Sequence, residues 1–190
     1  RVFIILIIIF FIPFKLSLAE DDQKIALNYL NTLKNFSASF LQNDGSNLSE
    51  GKIFIGSKRV RAEYFSPEKI VIILSEDKAM YYNYELEEDE FFNPKNTNAW
   101  FFYDIFRNPN FFENSQISII NNELILKKMG VDNEGKNFTL KVLFENSPLV
   151  LRAIEIIIED SFLRLSIYDH SYDQDFDRGL FKLISPKLLN

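Results

Sequence analysis

The spacing of hydrophobic residues changes once along the chain, near residue 45. Before that point apolar side chains recur at helical spacing at Ile25, Tyr29, Leu33 and Phe36, and the stripe continues to Phe40. This spacing predicts one amphipathic helix. The turn-forming run of residues 43–47 then ends it.

From Gly51 onward the period is two, which is typical of β-strands. The clearest alternation has polar Arg59, Arg61 and Glu63 between apolar Val60, Ala62 and Tyr64. Because successive side chains of a strand point to opposite faces, we expect the apolar set to face the interior. Further strands are predicted at residues 70–74, 78–84, 85–92, 116–120, 123–128, 138–144, 149–158, 162–168 and 179–184.

The alternation fails between residues 93 and 114, where residues 99–106 form an almost entirely apolar run. A short helix is predicted there. Such a helix is either an ordinary buried core helix or a lid over an apolar ligand. A small domain has difficulty burying a helix on every side, which favours the lid.

These elements predict a mainly β fold. About ten strands with short connections form one strongly curved antiparallel sheet, an incomplete barrel. An N-terminal helix and the helical insert cover its apolar cavity. The chain has 20 Phe and 8 Tyr, which reflects either a compositional bias or the lining of that cavity.

The first residues predict export. Arg1 precedes an apolar run at residues 2–12, and Ser17-Leu18-Ala19 is a small-x-small cleavage site. The run is shorter than the roughly 20 residues that span a bilayer, which disfavours a retained anchor. We therefore expect residues 1–19 to be a signal peptide and residues 20–190 to be one periplasmic domain.

Candidate chemistry in the sequence is sparse. There is no cysteine, which excludes disulfides, thiol catalysis and an acylated anchor. Asp169-His170-Ser171, the acidic run of residues 85–90 and Asp132-Asn133-Glu134-Gly135 each suggest a metal or catalytic site. Each is explained better as a turn or a solvated strand face. We expect no catalysis, cofactor or metal, and the net charge of −6 disfavours nucleic acid.

The order of several short motifs resembles the periplasmic LolA family of lipoprotein carriers. The resemblance covers nearly the whole exported part, although each motif is weak alone. The motifs are Tyr29 to Gln42, Gly51-Lys52-Ile53-Phe54-Ile55, Arg61-Ala62-Glu63-Tyr64 followed by Pro67, Asp77 to Leu86, and Leu180-Phe181-Lys182-Leu183 with Pro186.

The resemblance implies a monomeric periplasmic carrier of a Gram-negative bacterium that moves the acyl chains of lipoproteins. Its partners would be acylated lipoproteins, an inner-membrane lipoprotein-releasing transporter and an outer-membrane acceptor. A lipid- or lipoprotein-sensing regulator of the same fold is the alternative, and a cavity-based hydrolase or isomerase is a further one. The expected lipid-binding residues are Val60, Ala62, Tyr64, Ile72, Leu74, Met80, Tyr82, Trp100, Phe102 and Phe106.

The family commonly has an Arg-Pro pair before its second matching strand, and its arginine helps to hold the lid shut. This chain has Gly56-Ser57 there. Arg59 and Arg61 are therefore the candidates to lock the lid.

Overall fold

The computed structural model describes residues 16–108, 110–177 and 179–188. Within these ranges the chain forms two α-helices, α1 (Leu16–Thr32) and α2 (Ala99–Arg107). It also forms eleven strands, β1 (Phe36–Asn43), β2 (Leu48–Ile55), β3 (Val60–Ser66), β4 (Ile70–Leu74), β5 (Ala79–Asn83), β6 (Glu88–Phe92), β7 (Gln116–Ile120), β8 (Glu123–Val131), β9 (Asn137–Asn146), β10 (Leu149–Ile158) and β11 (Ser161–Ser171).

All eleven strands belong to one antiparallel sheet in the order β6-β5-β4-β3-β2-β1-β11-β10-β9-β8-β7. Short turns place consecutive strands side by side, as expected for such connections. The exception is the pairing of β1 with β11, in which Phe40 lies opposite Ile167. In the described residues β6 and β7 remain at the two edges, so the sheet is an incomplete barrel. The predicted fold class is confirmed.

The N-terminal helix ends earlier than predicted, and the first half of its predicted stripe is displaced by one residue. Ile25 is 52% exposed, whereas Ala26 and Leu30 are buried. Leu33 and Phe36 are buried as predicted. The chain leaves the helix at Thr32, and the following apolar residues belong to β1. The error has a simple cause: apolar residues four apart fit both the helical period and the strand period of two.

The predicted strand at residues 179–184 is wrong. The C-terminal segment, defined here as residues 179–188, contains turns and one 3₁₀ helix (Pro186–Leu188). It crosses the convex face of the sheet, where Leu183 packs against Val71, Ile73, Met80 and Tyr82. The segment therefore covers the sheet without extending it.

The main core lies on the concave face, between the sheet and the two helices. Its buried side chains come from α1, α2, nine strands and the short segments that follow the two helices, and include Leu33, Phe40, Phe101, Leu140 and Phe144. The insert is helical at residues 99–107, close to the predicted 99–106. Residues 132–136 form the turn between β8 and β9, as predicted.

The predicted export segment is described only in part. The apolar run at residues 2–12 lies outside the described residues, and the predicted cleavage site falls in the first turns of α1. Neither described α-helix is long and apolar enough to cross a membrane.

Candidate functional site

A cavity of about 390 Å³ lies on the concave face beneath α2. Its walls come from two groups of strands, β1–β4 and β10–β11, which the pairing of β1 with β11 joins. The volume is at the low end of the range of roughly 300–1,000 Å³ that is common for ligand pockets. The lining residues are Phe40, Gln42, Asp44, Ile53, Val60, Ala62, Tyr64, Ile72, Leu74, Asn98, Ala99, Phe102, Ile156, Ile158, Ser161, Phe162, Leu163 and Leu165.

The alternation of β3 and β4 sets one wall of this cavity. Val60 lies opposite Leu74, and Ala62 lies opposite Ile72. With Tyr64, these side chains share the concave face, the face on which the alternation places them. Arg61 and Glu63 form an ion pair instead, with 2.6 Å between Nε and Oε1, and neither lines the cavity.

One short side chain widens the cavity: Ala62 contributes only a methyl group to the wall. Gly51 makes room for a ring instead. A Cβ built on Gly51 would lie 2.4 Å from Cζ of Phe40 and 2.3 Å from the carbonyl oxygen of Glu63. Glycine at this position therefore allows the Phe40 ring to lie against the strand, in a T-shaped contact with Tyr64 with 5.1 Å between the ring centroids.

The polar groups of the cavity lining are few and uncharged, apart from one carboxylate. The Tyr64 hydroxyl donates to Oε1 of Gln42 over 2.8 Å, and burial raises the pKa of Tyr64 to about 12. Asp44 accepts hydrogen bonds from the backbone N–H groups of Asn47 and Ser46, which hold its pKa below the usual value. No lysine or arginine lines the cavity among the described residues.

Helix α2 has two different sides. Ala99 and Phe102 line the cavity, whereas Phe101 and Ile105 are buried in the core. Trp100 and Phe106, which were predicted to bind lipid, do not line the cavity. Trp100 stacks on Phe101 with 3.9 Å between centroids, and Phe106 is buried in the core outside the cavity lining. One helix turn spans the full circle, so residues adjacent in sequence cannot all face one cavity.

Met80 and Tyr82 do not lie in the cavity either. They pair with Ile73 and Val71 and share their convex face, beneath Leu183. Strand β5 is apolar on both faces, so its hydrophobic pattern does not show which face is the interior. A register error of one residue then reverses every assignment in the strand.

Arg59 and Arg61 do not hold the lid. Nη1 of Arg59 donates to the Phe181 carbonyl over 2.6 Å, and Nη1 of Arg61 donates to the Leu180 carbonyl over 2.7 Å. Both arginines therefore attach the C-terminal segment to the convex face, opposite the cavity. The C-terminal segment occupies their face of the sheet, so the structure places both predicted lid-locking residues away from α2.

Arg107, at the end of α2, makes the contact that sequence reasoning missed. Its Nη2 donates to the Leu33 carbonyl over 2.6 Å and so ties α2 to the chain just after α1. Burial lowers the pKa of Arg107, and its buried Nε has no hydrogen-bond partner among the described residues. A basic residue that ends an apolar helix was the available sequence signal.

Twelve of the 18 lining residues were also missed. The sequence indicated β3, β4 and Phe102 of α2, whereas β1, β2, β10 and β11 contribute nine further residues, and Asp44, Asn98 and Ala99 complete the lining. Ile53, Ile156 and Leu165 are examples. No local pattern reveals that the first and last strands are neighbours.

The remaining motifs lie outside the cavity. Nε2 of His170 is 2.7 Å from the Leu151 carbonyl oxygen. The His170 ring stacks on Tyr172, and burial lowers its pKa. The acidic run at residues 85–90 forms a turn and the start of the edge strand β6.

Comparison with known proteins shows the fold and no family. No family model matches the chain, and no curated protein sequence matches it. An uncharacterized conserved protein from Thermus thermophilus is similar in structure, with a TM-score of 0.55 and 9% identity over 86% of this chain and 95% of that one. An open antiparallel sheet covered by two helices over an apolar cavity therefore defines a half-barrel protein, a fold shared with the Thermus protein.

Two further solved structures match at lower scores. The Pseudomonas aeruginosa MucA/MucB complex gives a TM-score of 0.49 at 8% identity, over 87% of this chain and 62% of that one. LprF from Mycobacterium bovis gives 0.39 at 9% identity, over 85% and 98%.

Proposed function

We propose that this protein is a lipid carrier of the LolA-like kind that holds acyl chains in the cavity beneath α2. The observation that carries the proposal is the cavity itself. It is apolar, open at one end and walled mostly by Ile, Leu, Val, Ala and Phe side chains. Acyl chains fit such walls, because they need no hydrogen-bond partner along their length.

The volume sets how much lipid the cavity can hold in this conformation. The cavity of about 390 Å³ lies at the low end of the range of roughly 300–1,000 Å³ common for ligand pockets. We infer that it holds one acyl chain in this conformation. A cargo with two or three chains therefore requires α2 to move away from the sheet.

The energetics favour a carrier that must also release its cargo. Each methylene contributes about 0.8 kcal/mol to the free energy of transfer from water to an apolar environment, so a long acyl chain does not cross water unprotected. Part of this gain is offset by the loss of translational freedom and by ordering of the chain. The cargo then leaves when a receiving site offers the acyl chain a comparable apolar environment.

The place of action and the route are part of the proposal. The predicted signal peptide at residues 1–19 sends the protein to the periplasm. There it receives acylated lipoproteins from an inner-membrane transporter and delivers them to the outer membrane. The proposed mechanism involves no covalent chemistry: the lining holds the acyl chain and releases it unchanged. Among the described residues Asp44 is the only carboxylate on the lining, and its side chain already accepts hydrogen bonds from the backbone N–H groups of Ser46 and Asn47.

Filling the cavity tests the proposal. Ala62→Phe places a ring against the wall opposite α2, and Ala62→Ser is the control that leaves the volume almost unchanged. Titration with a pyrene-labelled fatty acid methyl ester should show at least a tenfold loss of affinity, about 1.4 kcal/mol, in the Phe variant only. Equal affinity of both variants, with intact thermal melts, would show that acyl chains bind elsewhere or not at all.

Transfer is measured separately from binding. A synthetic peptide with an N-terminal diacylglyceryl cysteine is placed in donor vesicles, and its arrival in acceptor vesicles is followed. The wild type should accelerate transfer and Ala62→Phe should not. Binding without acceleration would instead support the lipid-sensing regulator.

A further inference from the structure

The edge of the sheet at which the cavity opens carries exposed apolar side chains. Strand register places five turns along this edge: residues 44–47, 66–69, 84–87, 132–136 and 159–160. We call this line of turns the mouth edge, because Asp44, Ser161 and Phe162 from it line the cavity.

Each of these turns has a large apolar side chain within two residues. Leu48, Phe65, Tyr84, Leu86, Val131 and Phe162 are between 36% and 65% exposed. At the opposite edge, turns 56–59, 75–78 and 147–148 have no exposed large apolar side chain within two residues, whereas turn 121–122 has Ile119 and Ile120. Every turn of the mouth edge thus carries an exposed apolar side chain, and only one of the four turns at the opposite edge does.

The spacing of these side chains does not suit a pocket in a partner protein. From β11 to β5 the mouth edge crosses five strand intervals, about 24 Å at the usual spacing of ~4.8 Å. The apolar tips are separate points along this line. A fluid lipid surface accepts separate apolar tips without shape complementarity, whereas a protein partner has to match them.

The charge of the mouth edge selects the kind of surface. Its five turns contain eight acidic residues and two basic ones: Asp44, Glu68, Glu85, Glu87, Asp132, Glu134, Glu159 and Asp160, against Lys69 and Lys136. An anionic leaflet repels such an edge. A zwitterionic headgroup presents its ammonium group outermost, which complements the acids.

We propose that the mouth edge docks on a zwitterionic bilayer surface. Leu48, Phe65, Leu86 and Phe162 enter the headgroup layer, and the cavity opens toward the acyl chains. The docking step adds to the proposed function, on which its purpose rests, because it shows how an acyl chain reaches the cavity without crossing water. Docking itself is measurable without any cargo.

The test is flotation with phosphatidylcholine vesicles. The triple variant Leu48→Ser, Phe65→Ser, Leu86→Ser removes three apolar tips that do not line the cavity. The matched control, Ile25→Ser, Ile120→Ser, Leu188→Ser, removes three similarly exposed apolar side chains elsewhere. We expect the wild type and the control to float with the vesicles and the mouth-edge variant to partition roughly a hundredfold more weakly.

Replacing part of the phosphatidylcholine with phosphatidylglycerol should weaken binding at low salt, and added salt should restore it. Failure of the wild type to float, equal partitioning of the two triple variants, or stronger binding to the anionic vesicles would each overturn the proposal. So would a wild-type dimer that the mouth-edge variant dissociates, since the tips would then contact a second copy.

The soluble acyl-ester titration separates this proposal from the proposed function. Normal titration of the mouth-edge variant, with lost flotation, supports docking as a separate step. Flotation of a wild type that does not bind the ester would leave docking intact and contradict the carrier function.

Discussion

Helix α2 lies between two regions of the concave face that differ in how they are filled. On one side Phe101 packs against Phe138, with 4.9 Å between ring centroids, and Phe111 against Phe112, with 5.0 Å. On the other side Phe102 faces the cavity of about 390 Å³. The first region is a close-packed core, and the second is hollow.

Both regions are apolar, and they differ in the side chains that meet beneath α2. In the first region Leu124, Leu126 and Leu140 of β8 and β9 belong to one buried cluster with the aromatic rings. On the cavity side α2 contributes Ala99 and Phe102, and β3 contributes Ala62, whose side chain is a single methyl group. One apolar concave face can thus form a core and a cavity side by side.

The largest expected effect distinguishes two adjacent residues of α2. Phe101→Ala should lower the free energy of unfolding by about 3–5 kcal/mol, since the ring is completely buried. Phe102→Ala should lower it much less and should weaken binding of the fatty acid methyl ester, because this ring borders empty space. Urea unfolding and ester titration of both variants make the comparison. Equal destabilisation would show that the cavity side is also core.

The second prediction compares the two faces of the sheet. Met80→Ala should cost about 2–5 kcal/mol of stability without changing ester affinity, because Met80 is buried on the convex face. Ile72→Ala, on the cavity wall, should change the preferred chain length of the ester. An altered affinity in Met80→Ala would contradict the separation of the two faces.

The third prediction concerns the attachment of α2. Arg107→Met removes the charged hydrogen bond to the Leu33 carbonyl, which should cost about 1.5–3 kcal/mol. A loosened α2 should also speed dissociation of the ester in stopped-flow experiments. Arg59→Met, which loses a similar bond on the convex face, is the control. Its dissociation rate should match that of the wild type.

The smallest effect is a pH dependence at the cavity wall. Burial raises the pKa of Tyr64 from 10.0 to about 12. Below pH 10 the phenol is protonated in both folded and unfolded states, so its contribution to stability is complete. Between pH 10 and about 12 only the unfolded state loses the proton, so stability falls as pH rises. Tyr64→Phe should show a shallower fall in thermal melts across this window. An unchanged slope of melting temperature against pH would show that the Tyr64 hydroxyl in the cavity is already hydrated in the folded state.

Burial also raises the pKa of Tyr29, so the Tyr64→Phe variant should retain part of this pH dependence of stability. Tyr29→Phe is the control, because Tyr29 lies outside the cavity lining. It should change the slope without changing ester affinity.

The sequence predicted the strands and turns well, because both depend on local spacing. The wall of Val60, Ala62 and Tyr64 was predictable, since Arg61 and Glu63 between them mark the outer face. The inward face of strand β5 was not predictable, because neither of its faces is polar. Residues 36–40 belong to β1 and not to the predicted helix, since their spacing fits a helix as well as a strand.

By itself, then, the sequence determined the antiparallel meander, the helical insert and the face of β3 that lines the cavity, because alternation and turn residues act over a few positions. The tertiary structure alone decided three other features. Pairing of β1 with β11 completes the cavity wall. The C-terminal segment accepts hydrogen bonds from Arg59 and Arg61, and the Leu33 carbonyl, just after α1, accepts one from Arg107. Each of these contacts joins residues that are more than 70 positions apart, so no local hydrophobic period specifies it. Packing of the curved sheet against its helices specifies these contacts instead.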